Sequence, residues 1–329
     1  MNGGDKKNMV DFTVVIPTYN GEKRLPEVLE RLRSQITESI SWEILVVDNN
    51  SSDQTAQLIQ DYQRDWPKNF PLQYIFEPTQ GAAFARQRAV QEAKGELIGF
   101  LDDDNIPELN WVNSAYIFAQ EHPEAGAYGS RIYGDYEVTP PPNFGRIAPF
   151  LAITDRGSKV RLYQPEKRLL PPSAGLVVRK QVWLDHVPKQ PILSGRIPGN
   201  MITGEDLEVL RYIQKSGWEI WYSPTMEIHH KIPSQRLEKE YLISLFRGVG
   251  LGRHILRMLN FEPWQRPWFF LAYLINDTRK ILQHFFKYHN QLKTDIVINC
   301  EMQMYLSSLI SPFYLWRKGY IKSLFMLDH

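Results

Sequence analysis

Along the first hundred residues the apolar positions alternate between two periods. "FTVVIP" (12–17), "WEILVVD" (42–48), "LQYIFE" (72–77) and "LIGFL" (97–101) are short runs of largely β-branched and aromatic residues, the pattern of buried strands. Between them the apolar residues fall at helical spacing. Residues 24–35 carry Leu25, Val28, Leu29 and Leu32; "SSDQTAQLIQDYQ" (51–63) opens on good N-cap residues; "GAAFARQRAVQEAKG" (81–95) is closed by Gly95. Such alternation predicts an α/β fold with a mainly parallel sheet flanked by helices. Ligands of open sheets of this kind bind beyond the carboxyl ends of the strands. The chain places Pro17-Thr18-Tyr19-Asn20, Asp48 and Asp102-Asp103-Asp104 at those ends.

The pattern loosens between Gly134 and Pro172, where "TPPPN" and "LLPPS" read as loop. "AGLVVRK" (174–180) restores a strand, and "SGRIPGNMITGED" (194–206) is a glycine-containing loop. "LEVLRYIQKSG" is a helix with Leu207, Leu210 and Ile213 on one side and Gly217 as its stop, followed by two short extended segments, "WEIWYSP" and "MEIHH". From Pro233 onward the chain predicts helices rich in aromatic and basic residues, chiefly "PWFFLAYLINDTRKILQHFFKYH" and "MYLSSLISPFYLWRKGYIKSLF".

Composition narrows the classes. The 329 residues suit one large α/β domain plus an extension. Lys plus Arg (38) balance Asp plus Glu (37), which argues against a nucleic-acid-binding protein. The single cysteine, Cys300, has no partner for a disulfide or a cysteine-based metal site. The N-terminal stretch lacks the apolar core of a secretory signal, and nowhere do about 18 apolar residues run together, so a cytoplasmic location without a membrane-spanning helix is expected.

Candidate chemistry gathers at the polar positions, each with a plainer alternative. Asp102, Asp103 and Asp104 are either a solvated turn helped by Asn105 and Pro107, or a hard-cation site. In the latter an extended backbone sends Asp102 and Asp104 one way and Asp103 the other. Asp48 either caps the following helix or accepts hydrogen bonds from a nucleotide. Arg86 is either a surface arginine or a base or pyrophosphate contact. Thr203 and Asp206 fit an N-terminal capping pattern, while Asp206 or Glu205 would also serve as a general base. Of the adjacent His229 and His230, which point to opposite faces of a strand, at most one joins a given site, and imidazole suits a Mn²⁺-type ion. "RGVGLGR" (247–253) lacks the spacing and the preceding strand of a dinucleotide loop and reads as close helix packing; no P-loop is present.

Taken together, "VVIPTYNGEKRLPEVLERL", "EILVVDNNSSDQT", "GAAFARQRAV", "GELIGFLDDDNIP" and "TGEDLEVLRYIQKSGWEIWYSP" resemble a family 2 glycosyltransferase of the GT-A fold, over about residues 10–235. The nearest likeness is to bacterial or cyanobacterial exopolysaccharide enzymes. That resemblance implies a Rossmann-like domain at 1–235, with a nucleotide-binding half at about 10–130 and an acceptor half at 131–235, followed by a helical extension at 236–329. It implies inverting transfer of a sugar from a nucleotide-sugar donor, a UDP-sugar first, to a glycan or lipid-linked acceptor, with Mn²⁺ or Mg²⁺ on the diphosphate. Pro17, Tyr19 and Asn20 would line the nucleotide pocket, Asp48 would contact the base and Arg86 the nucleotide. Asp102 would lie near the ribose with Asp103 beside it; Asp104 would ligate the metal. Asp206, next to Glu205, matches the catalytic base, and His230 matches a histidine near the metal, with His229 as fallback. Gln87 departs from the asparagine that many members carry after the arginine. The Ser194–Thr203 loop is expected to close over the donor. The C-terminal helices are expected either at a membrane surface or packed on the protein or in a dimer. The readings from other classes are a nucleotidyltransferase and a non-catalytic nucleotide-sugar-binding scaffold.

Overall fold

The computed structural model describes residues 10–164, 170–197 and 199–320, which form two compact units. The first is drawn from residues up to 135, from 152–189 and from 212–231; the second takes 136–151, 190–211 and the chain from 232.

The first unit holds the sheet. Strands β1 (Val10–Thr18), β2 (Trp42–Asp48), β3 (Leu72–Phe76) and β4 (Gly95–Phe100) are mutually parallel in the order β3-β2-β1-β4. The sheet continues through β8 (Leu176–Arg179), antiparallel to both β4 and β6 (Ala125–Tyr136); β6 then runs parallel to β9 (Glu219–Ile232), on which β5 (Asn105–Pro107) and β7 (Arg161–Leu162) pair antiparallel. The chain builds β2 and β3 on one side of β1, then returns to the other side with β4. In open sheets of this kind the carboxyl ends of strands flanking such a reversal, here β1 and β4, are where ligands bind.

The four parallel strands and the helices between them, α1 (Leu25–Arg33), α2 (Thr55–Arg64) and α3 (Ala82–Glu92), fall where the apolar periods predict. On α1 the expected Leu25, Val28, Leu29 and Leu32 are all fully buried, against a core that includes Phe12, Val14 and Ile16 of β1. Each contributes about 1.5–3 kcal/mol of transfer free energy. Among the elements that escaped the pattern are α4 (Trp111–Glu121) and the twelve-residue β6. The two extended segments expected around 218–230 are one fourteen-residue strand, β9.

The second unit is helical. Helix α6 (Glu205–Lys215) begins in it, and α7 (Lys239–Met258), α8 (Arg266–Tyr288) and α9 (Ile296–Arg317) make its body. Asp295 caps α9, its carboxylate accepting from the Val297 and Ile298 amides. Ile192, Leu193, Ile202, Leu251, Ile255, Met258 and Leu315 form the core. The glycines of "RGVGLGR" serve close packing: a Cβ on Gly250 would stand 2.5 Å from Ser307 Cβ of α9. At Gly248 and Gly252 it would meet the carbonyl oxygens of Met201 and Thr203 at 1.7 and 2.3 Å. Residues 321–325 of the last expected helix lie outside the described residues. Among the described residues no helix is long and apolar enough to cross a membrane.

Candidate functional site

The loops after β1 and β2 are laced together. Asn20, at φ 51°, donates its amide to Ser51 Oγ (2.8 Å), and its side-chain oxygen accepts from the Ser52 amide (2.8 Å). The Gly21 amide donates to Thr55 Oγ1 (2.9 Å). A Cβ on Gly21 would lie 2.0 Å from Thr18 Oγ1, so only glycine lets this turn close over the end of β1. Pro17 is half-buried near the end of β1, and Tyr19 is exposed, its carbonyl accepting from Arg24 (3.0 Å). Asp48, buried at the end of β2, accepts from the Ser51 amide and from Tyr74 Oη, each at 2.9 Å. Burial, reinforced by Asp48, pushes the Tyr74 phenol up to about 12.

The three consecutive aspartates do not alternate along an extended strand, as the sequence suggests. They enter a turn closed by the Asn105 amide on Asp102 O (3.0 Å), while the buried Asn105 side chain accepts from the Asp102 amide (3.0 Å). Turn chemistry at Asn105 overrides the two-residue period. Each carboxylate consequently meets a different neighbour. Asp103 accepts from Thr18 Oγ1 (2.6 Å) and from Arg24 Nε and Nη2 (2.7 and 2.8 Å). Burial pushes its carboxyl up, against the pull of Arg24. Asp102, the most open of the three, lies 3.6 Å from Arg86 Nη2. Asp104 Oδ1 lies 3.3 Å from His230 Nε2, with both side chains buried.

The last contact follows from register. Strand β5 pairs antiparallel with β9 so that Asn105 faces His230, and the Lys231 amide donates to Asp104 O (3.0 Å). His229, on the other face, stacks on Tyr133 and sits 3.2 Å from Glu108. A buried carboxylate beside an imidazole nitrogen is a donor pair that fits Mn²⁺ or Mg²⁺. Among the described residues no group of three or more His, Cys, Asp or Glu is arranged to hold a metal. The pair therefore suits an ion that takes its remaining ligands from substrate oxygens and water.

Arg86, buried on α3, donates to Ser173 Oγ (2.7 Å) as well as facing Asp102. Its neighbour Gln87 accepts from Trp183 Nε1 of α5 (Lys180–His186) at 3.0 Å, so the residue that departs from the family pattern carries a packing role here.

In the second unit, Glu205 and Asp206 occupy the first turn of α6, where the helix dipole favours negative charge. Asp206 accepts from the Leu207 amide (2.8 Å) and Glu205 from the Gly204 amide (3.1 Å). Glu208, one turn on, is buried and accepts from the Ile192 and Leu193 amides (2.9 and 2.8 Å); burial lifts its carboxyl to about 7. The Ser194–Thr203 loop is thus gripped at both ends, by Glu208 just before it and by Gly248 and Gly252 against Met201 and Thr203.

Arg24, Tyr74, Ser173 and Glu208 were not singled out from sequence, and Thr18 was named only as one of the residues at the end of the first strand. For Thr18 and Arg24 a signal existed, since both sit in "PTYNGEKR" beside the chosen residues. Ser173 and Tyr74 are joined to the site only by folding.

A family model described as "Glycosyl transferase family 2" matches residues 13–178. Among curated relatives, the Staphylococcus aureus poly(ribitol-phosphate) beta-N-acetylglucosaminyltransferase TarS is 32% identical over 114 residues, 35% of this chain and 20% of that protein. The chain thus matches about a fifth of that relative's length. The Haloferax volcanii glycosyltransferase AglE is 24% identical, over 64% of each chain. Among solved structures, a mannosyltransferase from Pyrobaculum calidifontis in complex with GDP-Man and Mn²⁺ superposes at a TM-score of 0.59, with 18% identity over 95% of this chain and 89% of that one. These structural likenesses support the mixed α/β fold.

Proposed function

Since the chain belongs to glycosyl transferase family 2, we propose that it moves a sugar from a nucleotide-sugar donor, a UDP-sugar first, to an acceptor hydroxyl with inversion at the anomeric carbon. The observation that carries this reading is the buried Asp104–His230 pair, which the turn after β4 and the β5–β9 pairing bring together. Asp104 and His230 would hold Mn²⁺ or Mg²⁺, which supplies positive charge against that building on the departing diphosphate.

The chain's own residues account for the remaining roles in this reading. Asp48, fixed by Tyr74 and Ser51, presents a carboxylate to the base. Arg86, steadied by Ser173 and Asp102, offers a guanidinium to the nucleotide. Pro17, Tyr19 and Asn20 line the pocket, and Asp103 holds the β1 and β4 ends together through Thr18 and Arg24. Asp206 is the base that takes the acceptor hydroxyl's proton, with Glu205 beside it, on the strength of the E-D motif. Residues 1–235 would be the transferase domain and 236–329 its extension. The acceptor would be a glycan or lipid-linked glycan, met at the inner face of the cytoplasmic membrane.

Calorimetry with a panel of nucleotide sugars tests this. Wild type should bind one donor in the presence of Mn²⁺, and Asp104→Ala should lose that metal dependence. Asp206→Asn should bind the donor normally and lose about 10²–10⁴-fold in transfer rate. Donor binding indifferent to Mn²⁺ and to Asp104→Ala would overturn the metal assignment; transfer surviving Asp206→Asn would overturn the base.

A further inference from the structure

Helix α8 is turned inside out. On α8 the buried residues include Asp277, both of whose carboxylate oxygens accept from Arg257 of α7 (2.5 and 2.8 Å), and His284, with Nε2 3.0 Å from Ile298 O. Trp268, Leu271, Ile275, Leu282 and Phe286 are 50–73% exposed and recur at helical spacing along the opposite side. Helix α9 shares the exposed apolar stripe, while its inner side mixes serines with Val297, Ile298, Met304 and Leu315. Its buried positions include Ser307, Ser308 and Ser311; Ser308 accepts from Arg253 (3.3 Å), and Ser311 donates to Leu251 O (2.5 Å). Leu306, Ile310, Phe313 and Trp316 are exposed, again at helical spacing.

A helix on a water-soluble protein does the reverse, burying its apolar stripe and wetting its charges. Glycine and serine contacts with hydrogen bonds between helices, and large apolar residues facing out, are how helices pack in apolar surroundings. At about 34 Å, α8 has the length of a span, yet its inner charges leave it short of the apolarity that crossing needs. The fitting geometry is a helix pair lying in the plane of an interface.

Charge selects the occupant. Arg279, Lys287 and Arg317 are exposed on α8 and α9. The acids of these two helices are both engaged: Asp277 is buried on Arg257, and Glu301 accepts from Arg146. A second copy docked about a two-fold axis would set cations against cations; an anionic lipid surface complements them. The helices run antiparallel, since His284 meets Ile298 while Phe270 meets Phe313. Trp268 and Trp316, both 73% exposed, therefore lie toward the same end of the pair, as in an interfacial aromatic belt.

We infer that α8 and α9 form the docking surface for an anionic lipid bilayer, with the apolar stripes at the acyl boundary and Arg279, Lys287 and Arg317 among the headgroups. The inference rests on the membrane-side location proposed above and names its surface and lipid class. The test is flotation of the full chain with vesicles of phosphatidylcholine, alone or mixed with phosphatidylglycerol. Wild type should float with the mixed vesicles and be released by salt. Ile275→Glu with Phe286→Glu should weaken partitioning by about a hundredfold, and Arg279→Glu with Lys287→Glu should erase the preference for phosphatidylglycerol. Unchanged thermal midpoints and donor binding in both variants separate lost docking from lost fold. Docking without donor binding would sink the transferase reading and leave this one standing. Wild type that floats with neither vesicle, double variants that float as wild type does, or a stripe that sedimentation velocity shows sealed in a stable dimer would overturn it.

Discussion

Helices α1 and α8 have the same period and opposite sense. On α1, Leu25, Val28, Leu29 and Leu32 are buried while Glu27 and Glu30 are exposed. On α8, Asp277 and His284 are buried while Ile275, Leu282 and Phe286 are exposed. A hydrophobic period thus reports that a helix has two faces without saying which one faces the protein. What decides is the partner each face finds: an apolar core for α1, and for α8 the Arg257 guanidinium and the Ile298 carbonyl.

The sharpest way to break the comparison is to remove the charge inside α8. Asp277→Ala strands Arg257 in the bundle and should destabilise the protein by about 3–5 kcal/mol, read by denaturant unfolding. A loss below about 1 kcal/mol would mean that the polar stripe does not hold the bundle together. Next, Leu29→Ala on α1 should cost about 2–5 kcal/mol as a core cavity, whereas Leu282→Ala on α8 should stay within about 0.5 kcal/mol. Similar values at both sites would erase the inversion.

A subtler effect separates the acids of α6 by their surroundings. Glu208 is carried by the fold at about 7, above the ordinary glutamate value, so between about pH 4.5 and 7 the native state binds more protons than the unfolded one. Its contribution to stability is greatest below that window and is lost as pH rises through it. Glu208→Gln should flatten this segment of the stability–pH curve, measured by thermal unfolding at a series of pH values. An unchanged slope would show that Glu208 does not titrate in the fold.

The parallel half of the sheet was legible because strands buried on both faces write nearly continuous apolar runs, as in Ile44–Val47. Strand β6 was not, since "AGAYGSRIYGDY" breaks its apolar residues with three glycines. Pro224, lacking an N–H, made β9 look like two pieces. At the site, the identities at the strand ends stood in the sequence. The turn that parts Asp102 from Asp104 did not, because Asn105 binds the chain back on itself and cancels the assumed alternation. The juxtaposition of Asp104 with His230 depends on the β5–β9 register, across 126 residues (230 − 104), and no local pattern encodes it.

The contact of Gly248 and Gly252 with the Met201 and Thr203 carbonyls has a further consequence. On the loop side the nearest atoms are carbonyl oxygens of the main chain, which every residue type shares; on the helix side the room exists only because hydrogen stands where a Cβ would be. Mutational tolerance across this one contact is therefore lopsided: the side chains at 201 and 203 are free to vary as far as it is concerned, while at 248 and 252 even alanine is refused.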